Sequence, residues 1–308
     1  MKMLGILKHS IRYCRRPVAA NLQSTIGSTN SNKRTLDGQL DLRCTHVRHV
    51  HDDAKRVAEH ESVIFRQMFD GETYTYTYLL GCPETRAAIL IDPVYEMVDR
   101  DVKVAEEMEL DIIYGLNTHV HADHVTGTGK LKELLPRFKS VISKSSGAKA
   151  DIHLEDGAEF KFGNQCIKCL STPGHTGGCM TYVLPEHAMA FTGDALLIRA
   201  CGRTDFQEGD SGKLYESVWR KIFTLPNHFY LYPGHDYRGF SRTTVAEEKK
   251  FNPRLTLDKE KFVQFMKELD LAYPKLIDKS LPANLKCGEI SKEAILGSED
   301  VLSHMGNH

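Results

Sequence analysis

The chain has 308 residues, 40 basic and 41 acidic side chains, a net charge of −1 and a 41% hydrophobic share. This balance is ordinary for a globular protein and gives no overall pull toward nucleic acid or an anionic membrane. No apolar run is long enough to span a bilayer, and the eight cysteines lack framework spacing, which predicts reduced thiols rather than a secreted disulfide scaffold.

The amino-terminal stretch 1–36 carries Lys2, Lys8, Arg12, Arg15, Arg16, Lys33 and Arg34 and no acidic residue. Leu4, Leu7 and Ile11 fall on one helical side, and a Ser/Thr/Asn-rich stretch follows. This composition predicts a mitochondrial transit peptide. Residues 37–62 are charged, contain His46, His49, His51 and His60, and read as a linker.

The folded part is expected from residue 63. Apolar and alternating runs predict strands at 63–69, 73–80 and 87–91, the last ending in Asp92-Pro93. Helical spacing follows at 100–110, then a strand at 111–116 and a helix at 127–135 that stops at Pro136. The second half repeats the alternation, with strands at 158–162, 165–170, 180–184 and 188–191. A helix at 211–223 follows, then a strand at 229–232 and helices at 244–250 and 258–269. Strands and helices mixed in two similar halves predict packed sheets with helices outside. Cys166 and Cys169 form a CxxC, but i and i+3 point to opposite faces of a strand, so ordinary strand residues are expected.

The run Thr118-His119-Val120-His121-Ala122-Asp123-His124 follows the 111–116 strand and holds three imidazoles and a carboxylate in seven residues. Such groups are common ligands of first-row transition metals. Three more donor segments each follow a strand: Pro173-Gly174-His175-Thr176, Thr192-Gly193-Asp194 and Pro233-Gly234-His235. Glycine lets the chain turn sharply there, so that the donors can converge. Together they offer seven N/O candidates: His119, His121, Asp123, His124, His175, Asp194 and His235. On residues alone, this many donors suggest two metals sharing a hydroxide for hydrolysis.

The THxHADH, PGHT, TGD and PGH motifs resemble the metallo-β-lactamase superfamily, an α/β fold built as an αββα four-layer sandwich. The longer runs 117–129, 172–181, 191–206 and 232–240 are similar to the persulfide dioxygenases, as are Asn252-Pro253-Arg254-Leu255 and Pro282-Ala283-Asn284. Gly177 and Ala200 depart from that pattern, which has proline and glycine there.

The resemblance implies a catalytic domain over 63–308 that holds one Fe(2+) through His119, His175 and Asp194, the two-histidine, one-carboxylate arrangement of non-haem oxygenases. His121, Asp123, His124 and His235 then become catalytic groups around the ligands that orient them and move protons. Arg203, Tyr237 and Thr176 are expected to meet substrate; Arg254 is a weaker candidate, for which a surface or structural salt bridge is expected instead. Cys201 is expected near the pocket, as a functional thiol or a small buried residue. The implied reaction oxidises glutathione persulfide with O2 to sulfite and glutathione in the mitochondrial matrix, with a homodimer by analogy and no nucleic-acid or membrane partner. The alternative is a glyoxalase-II-like dinuclear thioester hydrolase. That class carries a long helical carboxy-terminal domain for glutathione, and only about 55 residues follow Arg254 here.

Overall fold

The computed structural model describes residues 63–289; the predicted transit segment 1–36, the linker 37–62 and residues 290–308 lie outside the described residues. Among the described residues, two six-stranded sheets face each other. The first holds β1 (Ile64–Asp70), β2 (Thr75–Gly81), β3 (Ala87–Ile91), β4 (Asp111–Leu116), β5 (Lys139–Ser143) and β6 (Ile152–Leu154) in chain order. The β1, β2 and β3 strands are antiparallel, and pairing from β3 to β6 is parallel.

The second sheet holds β7 (Glu159–Phe162), β8 (Gln165–Ser171), β9 (Met180–Leu184), β10 (Met189–Gly193), β11 (Tyr230–Pro233) and β12 (Thr243–Thr244). It is antiparallel except between β10 and β11.

Period-2 alternation divides each strand between two apolar layers. In β3, Ile89 and Ile91 join the core between the sheets, whereas Ala88 and Leu90 face outward. In β9 and β10, Tyr182 and Phe191 point inward while Val183 and Ala190 point outward. Strands covered on both faces lose the apolar/polar alternation of a half-exposed sheet. The outer face of the first sheet is covered by α1 (Val98–Glu107) and α2 (Thr128–Leu134), through Val98, Ala105 and Leu131.

Over the second sheet lie α3 (Ser211–Ser217), α4 (Val245–Phe251) and α5 (Lys259–Lys267), through Leu214, Val245, Phe262 and Met266. The result is the expected αββα sandwich. Burying each large side chain of these layers is worth roughly 1.5–3 kcal/mol.

The predicted 211–223 helix divides: α3 passes into a π-helical turn at Val218–Ile222 that keeps Val218 and Ile222 inward. Three strands and one helix were not foreseen: β5, β6, β12 and α6 (Ile277–Asn284). Cys169 is buried in the inter-sheet core and Cys166 sits on the other face, as the strand reading required. All six described cysteines are free.

Candidate metal centre

The donor-bearing loops leave one edge of the sandwich. β8 and β10 are both antiparallel to β9, and β10 is parallel to β11, so all three end on the same side. In the first sheet β3 and β4 run parallel, which brings Asp92 beside the loop after β4. Backbone bonds join the sheets there: Tyr76 N donates to Gly234 O and Met180 N to Thr118 O, both at 2.8 Å. The Tyr182 hydroxyl donates to Asn117 O at 2.7 Å.

His119, His175 and Asp194 converge, each with a donor atom within 4.8 Å of the others. Thr118 gives its hydroxyl proton to Asp92 Oδ2 at 2.8 Å, so its oxygen accepts Nδ1–H of His119 at 3.0 Å. His175 donates Nδ1–H to the main-chain oxygen of Arg203 at 2.7 Å. Both rings therefore present Nε2 as the lone-pair nitrogen, which is the form that binds a metal. Burial, then the neighbouring His121 and His175, hold the His119 pKa well below its usual value. His175 and Asp194 side chains are each 11% exposed, against 1% for His119, so one side of the triad opens to solvent. Two neutral imidazoles and a carboxylate suit a divalent transition-metal ion.

Around this triad each remaining imidazole is held by a carboxylate. His235 donates Nδ1–H to Asp194 Oδ1 at 2.7 Å and Nε2–H to Asp123 Oδ2 at 2.8 Å. Burial opposes its charge, yet the two carboxylates outweigh burial and hold its pKa well above the usual value. Burial would raise Asp123, but His235 and His124 keep it well below the ordinary carboxylate range. His124 donates Nδ1–H to Asp123 Oδ2 at 2.9 Å, and its buried Nε2 has no partner among the described residues. Its pKa is lowered, chiefly by burial. His121 donates Nε2–H to Asp92 Oδ1 at 3.0 Å, and its Nδ1 is likewise buried without a partner among the described residues. His121, Asp123 and His124 make a second convergent group.

Two glycines set the tolerances. A Cβ at Gly202 would stand 2.5 Å from Asp194 O and 2.8 Å from the His175 ring. One at Gly234 would stand 2.6 Å from Asp194 Oδ1.

The three expected substrate residues differ in position. The Tyr237 ring, 65% exposed, lies parallel to His235 at 6.2 Å between centroids. The Arg203 guanidinium is paired bidentately with Asp205 at 2.7 Å and donates to Ala272 O at 2.8 Å. The Thr176 hydroxyl is engaged within its own turn, with Cys179 Sγ at 3.2 Å and the Gly178 amide at 3.3 Å. The Cys201 side chain lies in the apolar layer behind the second sheet, 3.8 Å from Met266 Sδ, and burial pushes its thiol up to about 11. It is the small buried residue of the two readings. Arg254 donates to Cys201 O at 3.0 Å, a structural contact made to a main-chain oxygen rather than to the expected acid.

Sequence reasoning gave Asp92 no role, and Asn284 none beyond its place in the family-like Pro282-Ala283-Asn284 run. Asp92 is fully buried, at φ 50°, and accepts from the Thr118 amide at 2.7 Å as well as from Thr118 Oγ1 and His121. An Asp-Pro step closing a strand was its only signal. Asn284 arrives from α6 and left no spacing pattern.

Comparison with known proteins identifies the family. The family model described as "Metallo-beta-lactamase superfamily" matches residues 70–235. The chain is 53% identical over 238 residues to the mitochondrial persulfide dioxygenase ETHE1 of Bos taurus, covering 76% of this chain and 94% of the relative. It is 54% identical over 226 residues to the Homo sapiens protein of that name, covering 73% and 89%. The crystal structure of ETHE1 from Myxococcus xanthus matches with a TM-score of 0.71 and 47% identity, over 73% of this chain and 100% of that one. The chain thus belongs to the metallo-β-lactamase superfamily and, within it, to the persulfide dioxygenase family.

Proposed function

We propose that the protein is an iron-dependent persulfide dioxygenase of the mitochondrial matrix, acting on glutathione persulfide: GSSH + O2 + H2O gives GSH + sulfite + 2 H+. The observation that supports the single-metal form is the pairing of His235 with both Asp194 and Asp123, which engages both nitrogens of His235 and one oxygen of each carboxylate. One Fe(2+) would be held by His119, His175 and Asp194. When bound, that ion supplies the redox chemistry that lets O2 react with a sulfur, which a zinc ion cannot do.

The chain's own residues supply orientation. Thr118 and the Arg203 carbonyl fix the two histidine tautomers. His235 holds one oxygen of Asp194, so the other, 3.8 Å from His175 Nε2, faces the triad. His121, Asp123 and His124 form the polar surround that keeps the site charged yet ordered. Tyr237 and Arg203 are assigned to glutathione persulfide, whose two carboxylates suit a guanidinium fork in exchange with Asp205. Thr176 shapes the wall beside His175. The basic, acid-free stretch 1–36 supports import, and the same reading carries a homodimer.

Elemental analysis of protein purified without added metal, coupled to an oxygen electrode, tests the proposal. One iron per chain, with oxygen uptake only on addition of glutathione persulfide, is expected. Two metals per chain, with cleavage of a glutathione thioester that needs no oxygen, would instead establish the dinuclear hydrolase.

A further inference from the structure

The helix α6 reaches the loop after β4 through one side chain. Asn284, 4% exposed, donates from Nδ2 to the main-chain oxygens of His121 and His124, each at 2.8 Å, and its Oδ1 accepts the Thr126 amide at 2.8 Å. Both amide protons and a carbonyl lone pair are thereby used. Thr126 Oγ1 donates to Asn117 Oδ1 at 2.7 Å, so the two ends of the 117–126 loop are tied together while Asn284 holds its middle. The loop is irregular and buried, and a buried carbonyl left without a donor is unfavourable. Among the described residues no main-chain amide supplies these donors; the Asn284 side chain does.

The helix does not depend on Asn284 for its own place. The Lys149 amide donates to Leu285 O at 2.9 Å, and the Thr128 hydroxyl donates to Cys287 O at 3.2 Å. Leu281 packs on Val120, Ile142 and Ala148. Gly129 lies so close that a Cβ there would stand 2.9 Å from Cys287 O. The amide of Asn284 is therefore presented from a support that other contacts fix.

We propose that Asn284 is a positioning residue of the metal centre: through two carbonyls and one amide it sets the backbone from His121 to Thr126, and with it the directions of the imidazoles packed around His119. The His121 ring centroid lies 4.1 Å from that of His119, so a change of backbone at 121 is felt at the triad. The inference rests on the metal-centre reading above, but its readout is metal release, which does not depend on the identity of the substrate.

The test compares wild type with Asn284→Asp, Asn284→Ala and Ser280→Ala, each loaded with Fe(2+) and mixed with excess chelator. Asn284→Asp keeps the shape and sets an oxygen against two carbonyl oxygens; Asn284→Ala removes the donors alone. Ser280 lies on the same helix, 1% exposed, with a hydroxyl that has no partner among the described residues, and serves as the control. Metal release is expected to be about 10- to 100-fold faster in the Asn284 variants, the range usual for groups that support metal ligands. Ser280→Ala should match wild type, and circular dichroism should show all four proteins folded.

Release within about twofold of wild type from either folded Asn284 variant would overturn the proposal, on the same scale. So would failure of both Asn284 variants to fold while Ser280→Ala folds, because the residue would then be structural alone. A wild type that binds iron with this release pattern but consumes no oxygen with glutathione persulfide would sink the function and leave the Asn284 result standing.

Discussion

His235 Nδ1 lies 2.7 Å from Asp194 Oδ1, and the ring's other nitrogen is 2.8 Å from Asp123. One imidazolium therefore clamps a candidate ligand carboxylate and neutralises the acid behind it. His235→Ala should loosen Asp194 without removing a ligand. Metal affinity is expected to fall about 10- to 100-fold with the one-to-one stoichiometry kept. Competition against a chelator of known affinity, followed by elemental analysis, measures both. A drop from two ions to one would mean that His235 is itself a ligand.

The triad and the substrate residues should separate cleanly. Asp194→Ala or His175→Ala would remove one of the three protein bonds proposed for the ion, so iron and activity should be lost together. Arg203→Ala keeps the main-chain oxygen that accepts from His175. It should therefore retain iron and raise KM, with kcat changed much less. Iron content alongside steady-state oxygen uptake decides the matter; iron loss in Arg203→Ala with retention in Asp194→Ala would reverse the roles.

Gly202 is a tight place in the centre, since an added methyl would meet both Asp194 O and the His175 ring at under 3 Å. Gly202→Ala must displace backbone or imidazole, at a cost of roughly 1–3 kcal/mol. Reduced metal content and a lower urea midpoint are expected together. Wild-type metal content in that variant would show that the His175 ring can move aside freely.

Asp92 accepts three donors inside the core, two of them from Thr118 and one from His121. Asp92→Ala strands all three, and each buried unsatisfied group costs about 1–3 kcal/mol. Urea denaturation of the metal-free protein should register a loss of several kcal/mol. A loss below about 1 kcal/mol would show that water reaches these donors.

Much of this architecture was legible in the chain. Strands β3, β4 and β9 were placed to the residue, because apolar runs bounded by turn residues mark strands buried on both faces. The seven donors were legible because histidines and aspartates recur after β4, β8, β10 and β11, three times directly behind a glycine. β5 carries two serines in five residues and β6 is three residues long, so neither offers a periodic signal. α6 is interrupted by Pro282 and weakly amphipathic, which hid the helix that bears Asn284. Asp92 and Asn284 act through main-chain and side-chain bonds across 26 and 163 residues, a relationship that only the folded chain displays. The Arg203–Asp205 pair was hidden differently: both residues were in view, but their bidentate geometry depends on the local turn.

The pH dependence of the metal-free protein offers a last test of the clamp. Asp194 and Asp123 hold the His235 pKa well above the usual histidine value, despite burial. A raised folded value means that the native state keeps a proton the unfolded chain releases above about pH 6.5. The stabilisation is thus fully present below that value and is lost as pH rises through the folded one, at a limiting slope of about 1.4 kcal/mol per pH unit. His121 acts in the same sense, beside Asp92, whereas His119 and His124, held low by burial, act oppositely below pH about 6.5. The difference between wild type and His235→Gln isolates the one group. In urea melts of metal-free protein from about pH 6.5 to 8.5, the advantage of wild type over the variant should shrink as pH rises. An advantage that is flat or grows over that range would mean that His235 is neutral in the folded protein, and the clamp would then be a pair of ordinary hydrogen bonds rather than an ion held between two carboxylates.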